Sequence, residues 1–135
     1  MEFSSKRARM SVILRTPEGK IMMYAKGADS VMLPRLVKNE DLENTTRNHI
    51  NDFSTEGLRT LILGKKELNE EEYQQWHEKF HEANTSINDR AAKVEKASEL
   101  IEQDFELIGC TAIEDKLQEG VPQTIHYLLE VLKKK

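Results

Sequence analysis

Two short apolar segments open the chain, and helical periodicities fill most of the remainder. Ser11-Val12-Ile13-Leu14 and Lys20-Ile21-Met22-Met23-Tyr24-Ala25 flank Thr16-Pro17-Glu18-Gly19. Proline and glycine in that order supply turn chemistry, so the pair predicts a β-hairpin. After Gly27, Ala28 to Leu33 predicts a short helix capped by Asp29 or Ser30, with Pro34 limiting its regularity. From Asp41 to Phe53, the residues Leu42, Thr46, His49, Ile50 and Phe53 recur at helical spacing until Glu56-Gly57 stops them. Leu58 to Leu63 then reads as a strand carrying Arg59 in its first residues.

The second half predicts a helical hairpin. Tyr73, Trp76, Phe80 and Ala83 share one face of Glu70 to Ala83, polar residues run from Asn84 to Asp89, and Ala91, Val94, Ala97 and Ile101 form a second stripe. Leu107 to Ile113 is apolar without alternation, the pattern of a fully buried strand. Gly120 and Pro122 introduce a last amphipathic helix with Val121, Ile125, Leu128, Leu129 and Leu132 on its apolar side. A buried strand followed by one helix is half of a βαβ unit and needs a parallel neighbour, so the sequence reads as cut from something longer.

Composition narrows the function classes. A chain of 135 residues holds one compact domain, or one domain and the start of another. A net charge of −4 gives no overall basic field for non-specific nucleic-acid binding, so anions must be met locally. One cysteine, Cys110, has nothing in the chain to pair with, which fits a reducing compartment and an inert core thiol. No window approaches the apolar length of a membrane span, and Met1-Glu2-Phe3-Ser4-Ser5 lacks the apolar core of a signal peptide.

Several stretches carry candidate chemistry. Lys26-Gly27-Ala28-Asp29 places a lysine at the end of the hairpin and the mouth of a helix, a basic turn suited to an anion. Lys6-Arg7-Ala8-Arg9 reads either as a phosphate clamp or as the charged lead-in to an edge strand. Phe3 reads either as a base-stacking ring or as a core residue, and Arg59 as a partner for a phosphate or for a carboxylate. His77-Glu78-Lys79-Phe80-His81 satisfies the H-E-x-x-H pattern of zinc hydrolases, with Glu99 or Glu102 as a conceivable third ligand. The surrounding charges read instead as a solvated helix face. Glu114-Asp115-Lys116 sits at the carboxyl end of a strand, where open α/β sheets place ligands and where surface acids are equally ordinary. Gly64-Lys65-Lys66 lacks the earlier glycine and the hydroxyl of a Walker loop.

Four blocks taken in order carry a resemblance. They are Glu2-Phe3-Ser4-Ser5-Lys6-Arg7-Ala8-Arg9-Met10-Ser11-Val12, Lys26-Gly27-Ala28-Asp29, Glu56-Gly57-Leu58-Arg59-Thr60-Leu61, and Thr111-Ala112-Ile113-Glu114-Asp115-Lys116-Leu117-Gln118. Together they resemble the cytoplasmic region of P-type ATPases, the last block in the manner of the phospholipid-flippase (type IV) branch. The resemblance implies an α+β fold, an antiparallel sheet with flanking helices, ending in one strand and helix of an α/β phosphorylation domain. It implies that residues 1–107 are the later part of the nucleotide-binding domain and 108–135 the start of the phosphorylation domain. Phe3 would stack on adenine, Lys26 and Gly27 would line the pocket, Arg59 would reach the phosphates, and Arg7 would add a cation. Asp115 would form the hinge.

The implied ligands are ATP and Mg²⁺, the metal held mainly by parts of the parent outside this chain. The implied partners are the rest of the parent and an accessory subunit, at the cytoplasmic face of a membrane that this piece does not enter. Two departures from the family pattern stand out. Ala8-Arg9 replaces the usual Lys-Arg, and the D-K-T-G-T, T-G-D and G-D-G-x-x-N-D motifs are absent from the sequence. Without an acceptor aspartate, binding rather than turnover is expected. From other classes, the alternatives are a zinc-dependent hydrolase on His77 and His81, or a non-catalytic interaction module built on the acidic helical hairpin.

Overall fold

In the computed structural model, which describes residues 1–114 and 116–133, β1 (Arg9–Arg15) and β2 (Ile21–Gly27) form the expected hairpin. Its turn closes with the Gly19 amide donating to the Thr16 carbonyl at 2.9 Å. β2 then pairs with β3 (Arg59–Leu68), and β3 with β4 (Glu106–Ile113), giving an all-antiparallel sheet in the order β1-β2-β3-β4. The α+β architecture with flanking helices is therefore present. β3 runs on to Leu68, past the apolar stretch that announces it, because its second half alternates. Lys65 and Glu67 point out while Leu68 is buried, a pattern that a search for an unbroken apolar run misses.

Among the described residues five helices accompany the strands, and those that contribute to the core lie on one face of the sheet. α1 (Asp29–Met32) is a single turn continued by a 3₁₀ turn over Leu33–Arg35. Its N-cap is Ala28 without a side-chain cap, so neither Asp29 nor Ser30 performs the predicted capping; Asp29 instead accepts from the Ser30 amide at 2.7 Å. α2 (Glu40–Thr55) and α3 (Glu70–Thr85) start on asparagines whose side chains do accept cap bonds, Asn39 from Leu42 at 3.3 Å and Asn69 from Glu72 at 2.7 Å. α4 (Arg90–Ile101) folds back on α3, with the Trp76 indole donating to the Ala97 carbonyl at 2.9 Å. α5 (Val121–Lys133) carries its apolar residues exposed, from Ile125 to Leu132.

Alternation along the strands separates two faces. Ile21, Met23 and Ala25 of β2, Ile62 and Leu68 of β3, and Leu107 of β4 point inward, where Met32, Leu36, Ile50, Ile101 and Phe105 complete the core. Met10, Val12, Tyr24 and Lys26 point the other way and are exposed. Gly64 allows the close approach of Phe105, whose Cβ lies 2.8 Å from where a Gly64 Cβ would stand.

The prediction that Leu107–Ile113 is fully buried does not hold in this chain, and no parallel neighbour lies beside it among the described residues. Leu107 is buried, but Ile108 is 48% and Ile113 55% exposed, and the partner strand β3 is antiparallel. An apolar run fits an edge strand with an open outer face as well as a central one, since small residues such as Gly109, Thr111 and Ala112 need little cover. Asp115 lies outside the described residues.

Candidate functional site

The hairpin brings Lys26 to the carboxyl end of β2, opposite Met10 on one side and Leu63 on the other. Arg59 opens β3 on the same face, since Arg59 and Leu63 are an even number of residues apart along the strand. Both side chains are exposed, toward the same end of the sheet, and Lys26 has no ion pair among the described residues. Two cations rising from one sheet face can meet a phosphate chain. Leu61, half-buried between Arg59 and Leu63 along β3, adds an apolar floor.

Gly27 is needed for a reason other than bending. A Cβ there would stand 2.6 Å from the Arg9 Cβ and 2.7 Å from the Ala8 carbonyl oxygen, so β1 and β2 approach too closely for any other residue. The next amide, Ala28, donates to the Ala8 carbonyl at 3.0 Å. Ala8 itself adopts φ 47°, left-handed backbone that a non-glycine residue enters at a cost of about 1–2 kcal/mol. A strained turn therefore joins the Phe3 segment to the Lys26–Gly27 corner.

Phe3 is 61% exposed and lines a groove of about 950 Å³ between the N-terminal segment and the α3–α4 hairpin, with Lys6, Arg7, Phe80, Arg90 and Val94. Neither Lys26 nor Arg59 lines that groove. Lys26 and Arg59 are thus a cationic group on the open sheet face, and Phe3 lies apart from them in the groove against the α3–α4 hairpin.

Arg7 belongs to a third set that sequence spacing does not reveal. Glu102, fully buried just after α4, accepts hydrogen bonds from Arg7, from Arg9 Nε at 2.9 Å and from Ser11 Oγ at 2.5 Å. Arg9, itself 3% exposed, also donates to Glu99, and Arg35 donates to the other Glu99 oxygen at 2.7 Å. Burial alone would raise the Glu99 carboxyl, but hydrogen bonds from Arg35 and Arg9 and the two positive charges outweigh it and hold the carboxyl below its ordinary range. For Arg9, burial pulls the guanidinium down, and its bonds to Glu99 and Glu102 more than restore it. The Arg7 guanidinium is thereby turned toward Glu102 and the Glu2 carbonyl, which it meets at 2.8 Å. Partners from 64 to 95 residues apart leave no local signal. The one hint in the sequence is the acid pair at Glu99 and Glu102, about one turn apart beside an apolar stripe that ends at Ile101.

The same carboxylates, engaged by arginines, are not available as a third ligand for the zinc reading. His77 and His81 have ring centroids 6.4 Å apart, Tyr73 stacks on His77 at 5.4 Å, and both histidines are exposed on the outer side of α3. Among the described residues no group of three or more His, Cys, Asp or Glu comes together to hold a metal ion. H-E-x-x-H is here a surface spelling without a site, and the described residues do not fit a resident Mg²⁺ either.

A model of the P-type ATPase cytoplasmic domain N family matches residues 1–120. The chain belongs to that family. Its curated relatives include the phospholipid-transporting ATPase DRS2 of Saccharomyces cerevisiae, 50% identical over 131 residues, covering 96% of this chain and 10% of the relative. Phospholipid-transporting ATPase C887.12 of Schizosaccharomyces pombe is 50% identical over 127 residues, 94% of this chain and 10% of that protein. A probable phospholipid-transporting ATPase 4 of Arabidopsis thaliana is 48% identical over 132 residues, 96% and 11% of the two chains. The chain spans about a tenth of the length of these relatives. A domain N is by its description cytoplasmic, and among the described residues no helix is long and apolar enough to cross a membrane.

Proposed function

We propose that this chain holds ATP for a phospholipid-transporting P-type ATPase, presenting the nucleotide so that an aspartate elsewhere in the parent can take the γ-phosphate and drive lipid translocation. The observation that carries this reading is the placement of Lys26 and Arg59 on one open sheet face, at the end where Gly27 locks β2 against β1. Lys26 and Arg59 meet the phosphates, and Phe3, an exposed ring of the N-terminal segment, stacks on the base. Mg²⁺ arrives with the nucleotide and is held mainly by other parts of the parent.

Residues 1–107 serve as the later part of the nucleotide-binding portion, and 108–135 lead toward the phosphorylation portion, with Asp115 as the hinge. The exposed apolar side of α5 supports that division, because such a face is covered in a larger protein. Isothermal titration of the chain with ATP tests the reading. Saturable binding with Kd near about 1 mM, or about 4 kcal/mol, is expected of a site with few fixed contacts. No heat of binding at any attainable ATP concentration contradicts it.

A further inference from the structure

We propose that Glu102 is a positioning residue for the nucleotide site, the post that fixes the Phe3–Ala8 segment and the Gly27 corner to the α3–α4 hairpin. The inference rests on the nucleotide reading above. The Glu102 carboxylate binds Arg7, Arg9 and Ser11 and acts on the nucleotide-site residues through them. Arg7 and Arg9 bracket Ala8, the left-handed residue whose carbonyl receives the Ala28 amide and whose own amide donates to the Ser4 carbonyl at 2.8 Å. Arg9 is also the residue against which Gly27 packs. One buried carboxylate therefore sets the strained turn, the start of β1 and, through them, the relative placement of the aromatic and cationic groups.

The geometry explains why the acid follows α4 rather than lying near its partners in sequence. The helical hairpin is anchored at its base, by Ile101 in the core and by Glu102 and Glu99 against the arginines, while its far end is exposed. Next to Arg7, Lys6 reaches Glu95, one turn before Glu99 on α4, at 2.7 Å. The segment carrying Phe3 is thus tied to α4 and its end at Lys6 and Arg7 in succession. A carboxylate at 102 sets where that segment sits, and a neutral group of the same shape does not.

Glu102→Gln and the milder Ser11→Ala test the assignment against Ile50→Val, a core change in α2 that lowers stability without touching the cluster. At temperatures where each variant is fully folded, two quantities are read: amide hydrogen exchange at Ala8 and Ala28 without ligand, and the Kd for ATP. The expected result is exchange at both amides about 10-fold faster and ATP binding about 5-fold weaker in Glu102→Gln. A smaller change in the same direction is expected in Ser11→Ala, and neither change in Ile50→Val. Should Glu102→Gln fail to fold, Ser11→Ala alone decides. Wild-type exchange and wild-type Kd in the cluster variants would overturn the inference while leaving the nucleotide reading intact. A wild-type chain that binds no ATP would overturn both.

Discussion

The two faces of the sheet are made by the same strands and do opposite things. Arg9 and Ser11 face inward on either side of outward Met10, and Met23 and Ala25 on either side of outward Tyr24, so that these inward residues enter either the apolar core or the arginine–glutamate cluster. On the outer face, Lys26 and Arg59 are exposed beside half-buried Leu61 and Leu63. The inner face holds the structure together; the outer face leaves Lys26 exposed, where the proposed phosphate contact would form. Because the strand period is two, a residue and its neighbour belong to different problems, and a substitution reports on one face only.

That division is broken most severely by opposite treatment of the two faces. Met23→Ala, at a fully buried position, is expected to cost about 2–5 kcal/mol in denaturant unfolding. Val12→Ala, half-exposed on the outer face, should change stability by no more than about 0.5 kcal/mol. Equal costs would mean that the outer face is also packed. Next in size, Lys26→Ala should weaken ATP binding about tenfold, roughly 1.4 kcal/mol, with an unchanged unfolding midpoint. A shift of the midpoint without a change in affinity would move Lys26 to the structural side.

Acid weakens the inner-face cluster through Glu99. Because the folded state holds the Glu99 carboxyl below its ordinary value near 4.5, the cluster's contribution from Glu99 is complete above that pH and is lost as pH falls through the lower folded value. A thermal scan from about pH 7 to 3 should show the midpoint level until about 4.5 and falling below it, with a flatter decline in Glu99→Gln. The smallest effect belongs to the exposed pair of Lys20 and Glu67, 3.1 Å apart. Lys20→Ala should cost less than about 0.5 kcal/mol and respond to salt.

Much of this arrangement is legible in the sequence, for identifiable reasons. The hairpin, α2, α3, α4 and α5 arise from local periodicity and turn residues, and the family resemblance rests on four ordered motifs that the family match supports. What escapes is non-local. Leu107 to Ile113 reads as buried because a run of apolar residues says nothing about whether a second layer covers it. The length of β3 is hidden because its charged half alternates toward water. Gly27 is legible as a required glycine, but its cause is a close strand approach visible only once Arg9 is opposite it. Arg7 reads as a free cation beside Phe3 until Glu102, 95 residues later, is seen to face it.

The proposed nucleotide site on the open sheet face is put to the test by a map of amide NMR shifts on adding ATP to the intact chain. Changes concentrated at Phe3, Lys26, Gly27 and Arg59, with the core residues Met23, Ile62 and Phe105 undisturbed, are the predicted result. Shifts confined to the α3–α4 hairpin tip or to α5, or no shifts at ATP concentrations several times the expected Kd, would contradict it.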